Sequence, residues 1–279
     1  MNLIFCKLDI FHYMEDLILS IMPKINGQYF HVESITFNPL FEFENLNNYI
    51  FIQNIPEHLI TKVSFTNVYV LNTEQLSYEK NIEKLSLSMI NNNKLINFID
   101  YSYSNLKKYN TINHNKKFFL PYQINYNEIY DIKKNNDICI IGFDLLPYRQ
   151  HIINLLKDKS INVDLVSGFG KERDDILFQY KIILNISAFN YFKTFESLRC
   201  DRCVYNRMIV ISDFKEDIDK YYLKDYIIFE KYEDIPDKVI DVINNYDYYY
   251  NKLFKDFNFE KIEKIINENS KEILEILNN

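Results

Sequence analysis

Glycine is scarce in this chain, with only 4 in 279 residues, and tryptophan is absent. Gly27, Gly142, Gly168 and Gly170 cannot form a G-x-G-x-x-G dinucleotide fingerprint, which packs three glycines into one strand-to-helix turn. Cysteine is also little used, at 4 residues. Cys6 and Cys139 lie in strand-like runs, where a free thiol behaves as a small buried hydrophobe. Cys200 and Cys203 form a C-x-x-C inside a predicted helix, with no second ligand pair at a zinc-like spacing. Two ordinary helical thiols are expected there, and no metal site. Long apolar runs are missing too, so no segment spans a bilayer without charges. The N-terminal stretch carries Lys7, Asp9, Glu15 and Asp16 and lacks the basic start of a signal peptide. A cytoplasmic protein is expected, opening on a strand and an amphipathic helix.

Positive charge is in deficit, with 32 Lys and Arg against 39 Asp and Glu, a net charge of -7. A general nucleic-acid binder needs a basic face to displace counterions, so the charge balance argues against that class. An anionic small ligand in a local basic cleft is not. What the chain does hold is apolar residues, at 47%, enough for one large core or two ordinary ones. The abundance of Asn, Ile, Lys, Tyr and Phe follows AT-rich codons and points to an AT-rich source such as a large DNA virus.

The runs QYFHVESITF, YIFIQNI, TNVYVLN and KLINFIDYS read as strands, rich in aromatic and β-branched residues. SYEKNIEKLSLSMINNN reads as a helix, with apolar residues near helical spacing. The polar stretch Tyr126 to Asn136 lacks a period and reads as a linker. From DICIIGFD onward the order is β-α-β-α-β-α-β-β, the pattern of a doubly wound, mostly parallel sheet. The expected organisation is an α/β domain over residues 1–125, a second over 137–240, and closing helices over 241–279. Ligands of such sheets bind outside the carboxyl ends of the strands. In the second half those ends carry Gly142 to Asp144, Ser167 to Gly170, Asn185 to Ser187, and Ser212 with Asp213.

Residues suited to a nucleoside diphosphate gather at these ends. Gly142, and Gly168 with Gly170, sit in strand-to-helix turns, where backbone N–H groups approach a phosphate or where the turn simply needs glycine angles. Arg149, Lys171, Arg173 and Arg199 are expected along the same edge, and a guanidinium fork suits a diphosphate. Glu196 begins a helix, where the macrodipole favours a carboxylate and where it can accept hydrogen bonds from a ribose diol. Asp201 is the alternative for that role. His12, His31, His58, His114 and His151 are available as bases, but none lies in a telling motif.

The string KIILNIS, followed by FESLRCDRCVYNRMIVISD, resembles the donor-binding half of GT-B-fold glycosyltransferases. It is most similar to a group with the pattern LNIH, then E-x-x-R, then VISE. NTEQL, IDYSYSNLKKY, FLPY, PYRQHII and GFGKERDDI are similar to further segments of that group, in the same order. The resemblance covers most of the chain beyond about Val68. It implies two Rossmann-like domains facing across a cleft, with the last helix returning to the first domain. It implies a hexosyltransferase-type enzyme that moves a sugar from a nucleotide-diphosphate donor to a hydroxyl acceptor, without metal or other cofactor. Glu196 would take the ribose, while Arg199, Ser187 and the glycine loops would face the diphosphate. Glu74 and Asp100 would be catalytic, with Gln75 and Tyr101 on the acceptor side. Ser187 stands where the pattern has His, and Asp213 where it has Glu. A nucleotide-sugar epimerase and a catalytically reduced binding or scaffold protein are the competing readings.

Overall fold

The computed structural model of the chain describes residues 1–36, 47–56, 59, 67–76, 96–109, 116–215 and 218–279. Two compact units result: Met1–Gln123 with Lys264–Asn279 form unit 1, and Ile124–Glu263 form unit 2.

Unit 1 runs through β1 (Asn2–Cys6), α1 (Leu8–Ile25), β2 (Gly27–His31), α2 (Val32–Thr36), β3 (Asn48–Ile52), β4 (Asn67–Asn72), β5 (Ile96–Asp100), α3 (Tyr103–Lys108) and β6 (Lys117–Phe119). Its sheet has the order β2-β1-β3-β4-β5-β6, and every neighbouring pair is parallel. β1 (NLIFC) and β3 (NYIFI) are buried at every residue, as a parallel strand covered on both faces requires. Phe5 stacks on Phe51 at 5.2 Å and Phe98 on Tyr109 at 4.8 Å in this core. Asn26 ends α1 in the left-handed region (φ 48°), returning its N–H to Met22 O.

One expected strand is corrected. QYFHVESITF breaks at His31, and Val32–Thr36 is the helix α2. Val32 and Ile35 lie one helical turn apart and both enter the core. Glu33 meanwhile accepts the Leu8 N–H at the start of α1, 3.1 Å away. Tertiary burial and that cap outweigh the β propensity of the valine and isoleucine. The helix expected over SYEKNIEKLSLSMINNN lies outside the described residues.

Unit 2 contains β7 (Asn136–Ile141), α4 (Pro147–Asp158), β8 (Asp164–Val166), α5 (Gly170–Leu177), β9 (Tyr180–Asn185), α6 (Ser197–Tyr205), β10 (Ile209–Asp213), β11 (Ile227–Glu230), α7 (Ile235–Asn244) and α8 (Tyr246–Phe254). The sheet order is β11-β10-β9-β7-β8, again parallel throughout. Pro147 is the first residue of α4, where its missing N–H costs nothing. α9 (Phe259–Asn278) begins in unit 2, and from Lys264 it belongs to unit 1. There Leu277 O accepts from Asn2 Nδ2 at 2.7 Å and Asn269 Oδ1 accepts from Tyr103 OH at 3.3 Å, so the last helix returns to the first unit.

The stretch read as a linker, Tyr126 to Asn136, is part of unit 2. Glu128 pairs with the buried Arg202 at 2.7 Å. Asn206 donates to Glu128 O and accepts the Tyr130 N–H, both at 2.8 Å. Its polar residues thus serve buried partners on and just beyond α6, which a lack of periodicity cannot reveal. Among the described residues, no helix is long and apolar enough to cross a membrane.

Candidate functional site

In unit 2 the strand order reverses between β7 and β9. Such a switch point leaves a crevice at the carboxyl ends of the two strands, the usual ligand position in open α/β sheets. β7 ends beside Gly142, and β9 ends at Asn185 with Ile186 and Ser187 following. Arg149, on the first turn of α4, is buried and spans this point: its Nε donates to Ile186 O at 2.8 Å. A Cβ at Gly142 would stand 3.4 Å from Arg149 Nη1, an ordinary contact distance, so the guanidinium lies against the end of β7. The Gly142 N–H, a candidate phosphate donor, is engaged by Val166 O at 3.1 Å.

Arg199 lies on the first turn of α6. Its Nη1 donates to Asn185 Oδ1 at 3.2 Å and its Nη2 pairs with Glu196 Oε2 at 2.9 Å. Glu196 and Arg199 are both partly exposed, 23% at the side chain, so the pair is open to solvent. Burial pushes the Arg149 guanidinium down to about 10, and repulsion from Arg199 adds to that, while Glu196 and Asp213 oppose it. The two arginines hold consecutive residues at the end of β9, Arg149 on Ile186 O and Arg199 on Asn185 Oδ1. Ser197, the first residue of α6, holds a buried hydroxyl without a hydrogen-bond partner. An unmatched buried O–H at a helix N-terminus is a donor suited to a phosphate oxygen.

Beneath this layer lies a buried ion pair. Lys215 Nζ meets Asp213 Oδ2 at 2.6 Å, donates to Ser187 Oγ, and donates to Phe192 O at 3.3 Å. Asp213 Oδ1 accepts the Ser187 N–H at 3.3 Å. Burial lowers the Lys215 pKa, and Asp213 opposes that shift. Lys215 carries no sequence signal, because only its tertiary partners mark it as a buried cation.

Of the expected donor-side residues, the structure brings Gly142, Arg149, Ser187, Glu196 and Arg199 to one strand edge. Lys171 and Arg173 are engaged elsewhere. Lys171 pairs with Asp175 at 2.6 Å, and Arg173 with the buried Asp174 at 2.6 Å. Gly168 (φ 103°) in the turn before α5 and Gly170 (φ 55°) at its first residue hold left-handed angles, which fits the plain turn role. Asp201 is fully buried, and its two oxygens accept from Tyr221 and Tyr222, so it is committed to the interior. Cys200 and Cys203 are free buried thiols on α6. His31 packs edge-on to Phe11 at 5.0 Å, and His151 lies over Tyr232 at 6.2 Å. His58 and His114 lie outside the described residues.

In unit 1, Glu74 is exposed on the loop after β4, whereas Asp100, Gln75 and Tyr101 are buried. Asp100 accepts from Asn72 (2.7 Å), Asn105 (3.1 Å), Tyr109 OH (2.9 Å) and the Ser102 N–H (2.8 Å). Asn72 and Asn105 both donate to Glu74 O, and Gln53 Nε2 reaches Glu74 Oε1 at 3.1 Å. The buried acid thus fixes the two amides that hold the backbone of the exposed one.

Burial pushes the Asp100 carboxyl from its ordinary 3.8 up to about 7, against the lowering effect of those hydrogen bonds. A pKa raised on folding contributes stability that is fully present below the unfolded pKa and lost as pH rises through about 7. Asp100→Asn is therefore expected to make stability fall less steeply between about pH 4 and about pH 8. Urea unfolding across that range measures the slope, and an unchanged slope in the variant would refute the assignment.

No family model matches the chain. Its fold is that of a doubly wound α/β protein, with Arg149 and Arg199 at the end of β9 by the switch point of its second unit. The chain is 31% identical over 246 residues to "Uncharacterized protein R358" of Acanthamoeba polyphaga mimivirus, covering 84% of each. It belongs to the family of that protein. It is 29% identical over 266 residues to "Uncharacterized protein L138" of the same virus, but spans only 29% of that longer protein. Among solved structures, a crystal structure of alpha1,3-fucosyltransferase with GDP aligns at a TM-score of 0.46 and 14% identity, covering 99% of this chain and 90% of that one.

Proposed function

We propose that unit 2 binds a nucleoside-diphosphate sugar at its switch point and that the protein transfers the sugar to a hydroxyl acceptor. The observation that carries this reading is that two guanidinium groups meet consecutive residues at the carboxyl end of β9, Arg149 donating to Ile186 O at 2.8 Å and Arg199 to Asn185 Oδ1 at 3.2 Å. A protein holds like charges together at a cost, and a diphosphate repays that cost. Negative charge grows on the diphosphate as the sugar leaves. Fixed protein cations and the α6 N-terminus stabilise that charge without reorganising, in place of a metal ion.

Glu196 accepts hydrogen bonds from the ribose diol, and its ion pair with Arg199 orients it for that task. Glu74 is the carboxylate of the NTEQL segment with solvent access, and it takes the proton of the attacking hydroxyl. Asp100 is a positioning residue for the Glu74 loop. The acceptor is a sugar or other hydroxyl compound.

One observation favours a binding protein without transfer. Ser187 is buried and its hydroxyl is held by Lys215, so it supplies no acid or base where the resembling group has His. A thermal-shift screen with uridine- and guanosine-diphosphate sugars, joined to an assay for released nucleoside diphosphate, tests both readings. A transferase raises its melting temperature with one donor and slowly hydrolyses it. A stabilised protein that releases nothing, even with hydroxyl acceptors added, would leave only the binding role. No shift with any donor would overturn both.

A further inference from the structure

The loop from Ser187 to Glu196 carries an aromatic group that the diphosphate site does not use. Phe189 and Tyr191 are stacked at 5.0 Å between centroids with 7° between planes, and they are 37% and 41% exposed. Phe192 meets both edge-on, at 5.4 and 5.1 Å. A 5.0 Å separation of near-parallel rings means an offset stack, so part of each ring face is left uncovered by the other. Hydrophobic rings on a loop tip normally turn inward, and these two stay out.

The loop is held at both of its ends by the site. Lys215 grips Ser187 Oγ and Phe192 O, closing the segment that contains both exposed rings. Glu196, the ribose carboxylate of the reading above, follows Phe192 by four residues. The stack and the ribose carboxylate thus belong to one short loop.

We infer that the Phe189–Tyr191 pair is a stacking platform for the nucleobase of the donor, positioned by Lys215. The inference rests on the nucleotide-sugar reading and deepens it. Every base offers a π-face, so a platform of this kind binds by stacking more than by reading a hydrogen-bond pattern. Purines, with the larger face, gain more from it than pyrimidines.

The test uses the full chain, with guanosine diphosphate, uridine diphosphate and inorganic pyrophosphate as probes in calorimetric titration. Both rings are exposed, so F189A/Y191A is expected to keep the wild-type melting temperature. The double variant is expected to lose at least about fivefold in affinity for each nucleotide, with the greater loss for the guanine nucleotide. Its pyrophosphate affinity is expected to stay within twofold of wild type, a ratio that roughly marks no effect. Unchanged nucleotide affinity would overturn the platform while leaving the diphosphate site standing, and would mark the rings as a surface for another partner. Equal losses for nucleotides and pyrophosphate would also overturn it, since the rings would then act on the loop as a whole. Failure of the wild type to bind any of the three probes would overturn the underlying reading itself.

Discussion

Arg199→Ala is expected to weaken nucleoside-diphosphate binding by about 30-fold or more, while changing affinity for the free nucleoside by less than about threefold. The side chain contacts Asn185 at the strand end and Glu196 one turn back, so its fork is held beside the switch point. On the proposed reading, removing it deletes one of the two guanidinium groups offered to the diphosphate. It also relieves the repulsion on Arg149, which returns a small part of the loss. Arg199→Lys keeps the charge but not the planar fork, and is expected to recover only a fraction of the affinity. Titration of the variant with diphosphate and nucleoside in parallel gives the answer. Equal losses for the two ligands would remove Arg199 from the phosphate site.

Asp213→Ala is expected to cost about 3 to 5 kcal/mol of stability, because it strands the buried Lys215 ammonium without its counter-charge. Ser187 loses the acceptor of its N–H at the same time. The double variant D213A/K215M removes both charges, and apolar replacement of a buried pair is often neutral, so much of the loss should return. Denaturant unfolding of the two variants separates a buried ion pair from a general packing defect. A single-variant loss under about 1 kcal/mol, or a double variant no better than the single, would contradict the role given to the pair.

Much of this was legible before the fold was known. Buried parallel strands announce themselves as short apolar runs between turns, and β1, β3, β7, β9 and β10 all do. The β-α alternation of the second half fixed where Gly142, Asn185 and Asp213 would stand, since carboxyl ends of parallel strands share one edge. Arg149 and Arg199 were readable from the same logic, one turn into the helices that follow. Residues whose meaning depends on tertiary partners were not legible. Lys215 looks like a surface lysine after a strand, yet it is buried on Asp213. Asp201 has the spacing of a ribose ligand, yet Tyr221 and Tyr222 close over it. Lys171 and Arg173 lie at the expected edge in sequence, but the acids of their own helix hold them. The segment after Ile124 read as a linker because its side chains are polar, although those groups serve Arg202 and Asn206.

The central claim is that one nucleoside-diphosphate sugar is held at the switch point of unit 2 between Arg149 and the Glu196–Arg199 pair. Competition calorimetry of the wild-type chain, a nucleotide-sugar titrated with and without saturating pyrophosphate, tests it most directly. The account predicts one saturable site per chain, suppressed by pyrophosphate and missing in Glu196→Ala. Binding that ignores pyrophosphate and survives that substitution would contradict it.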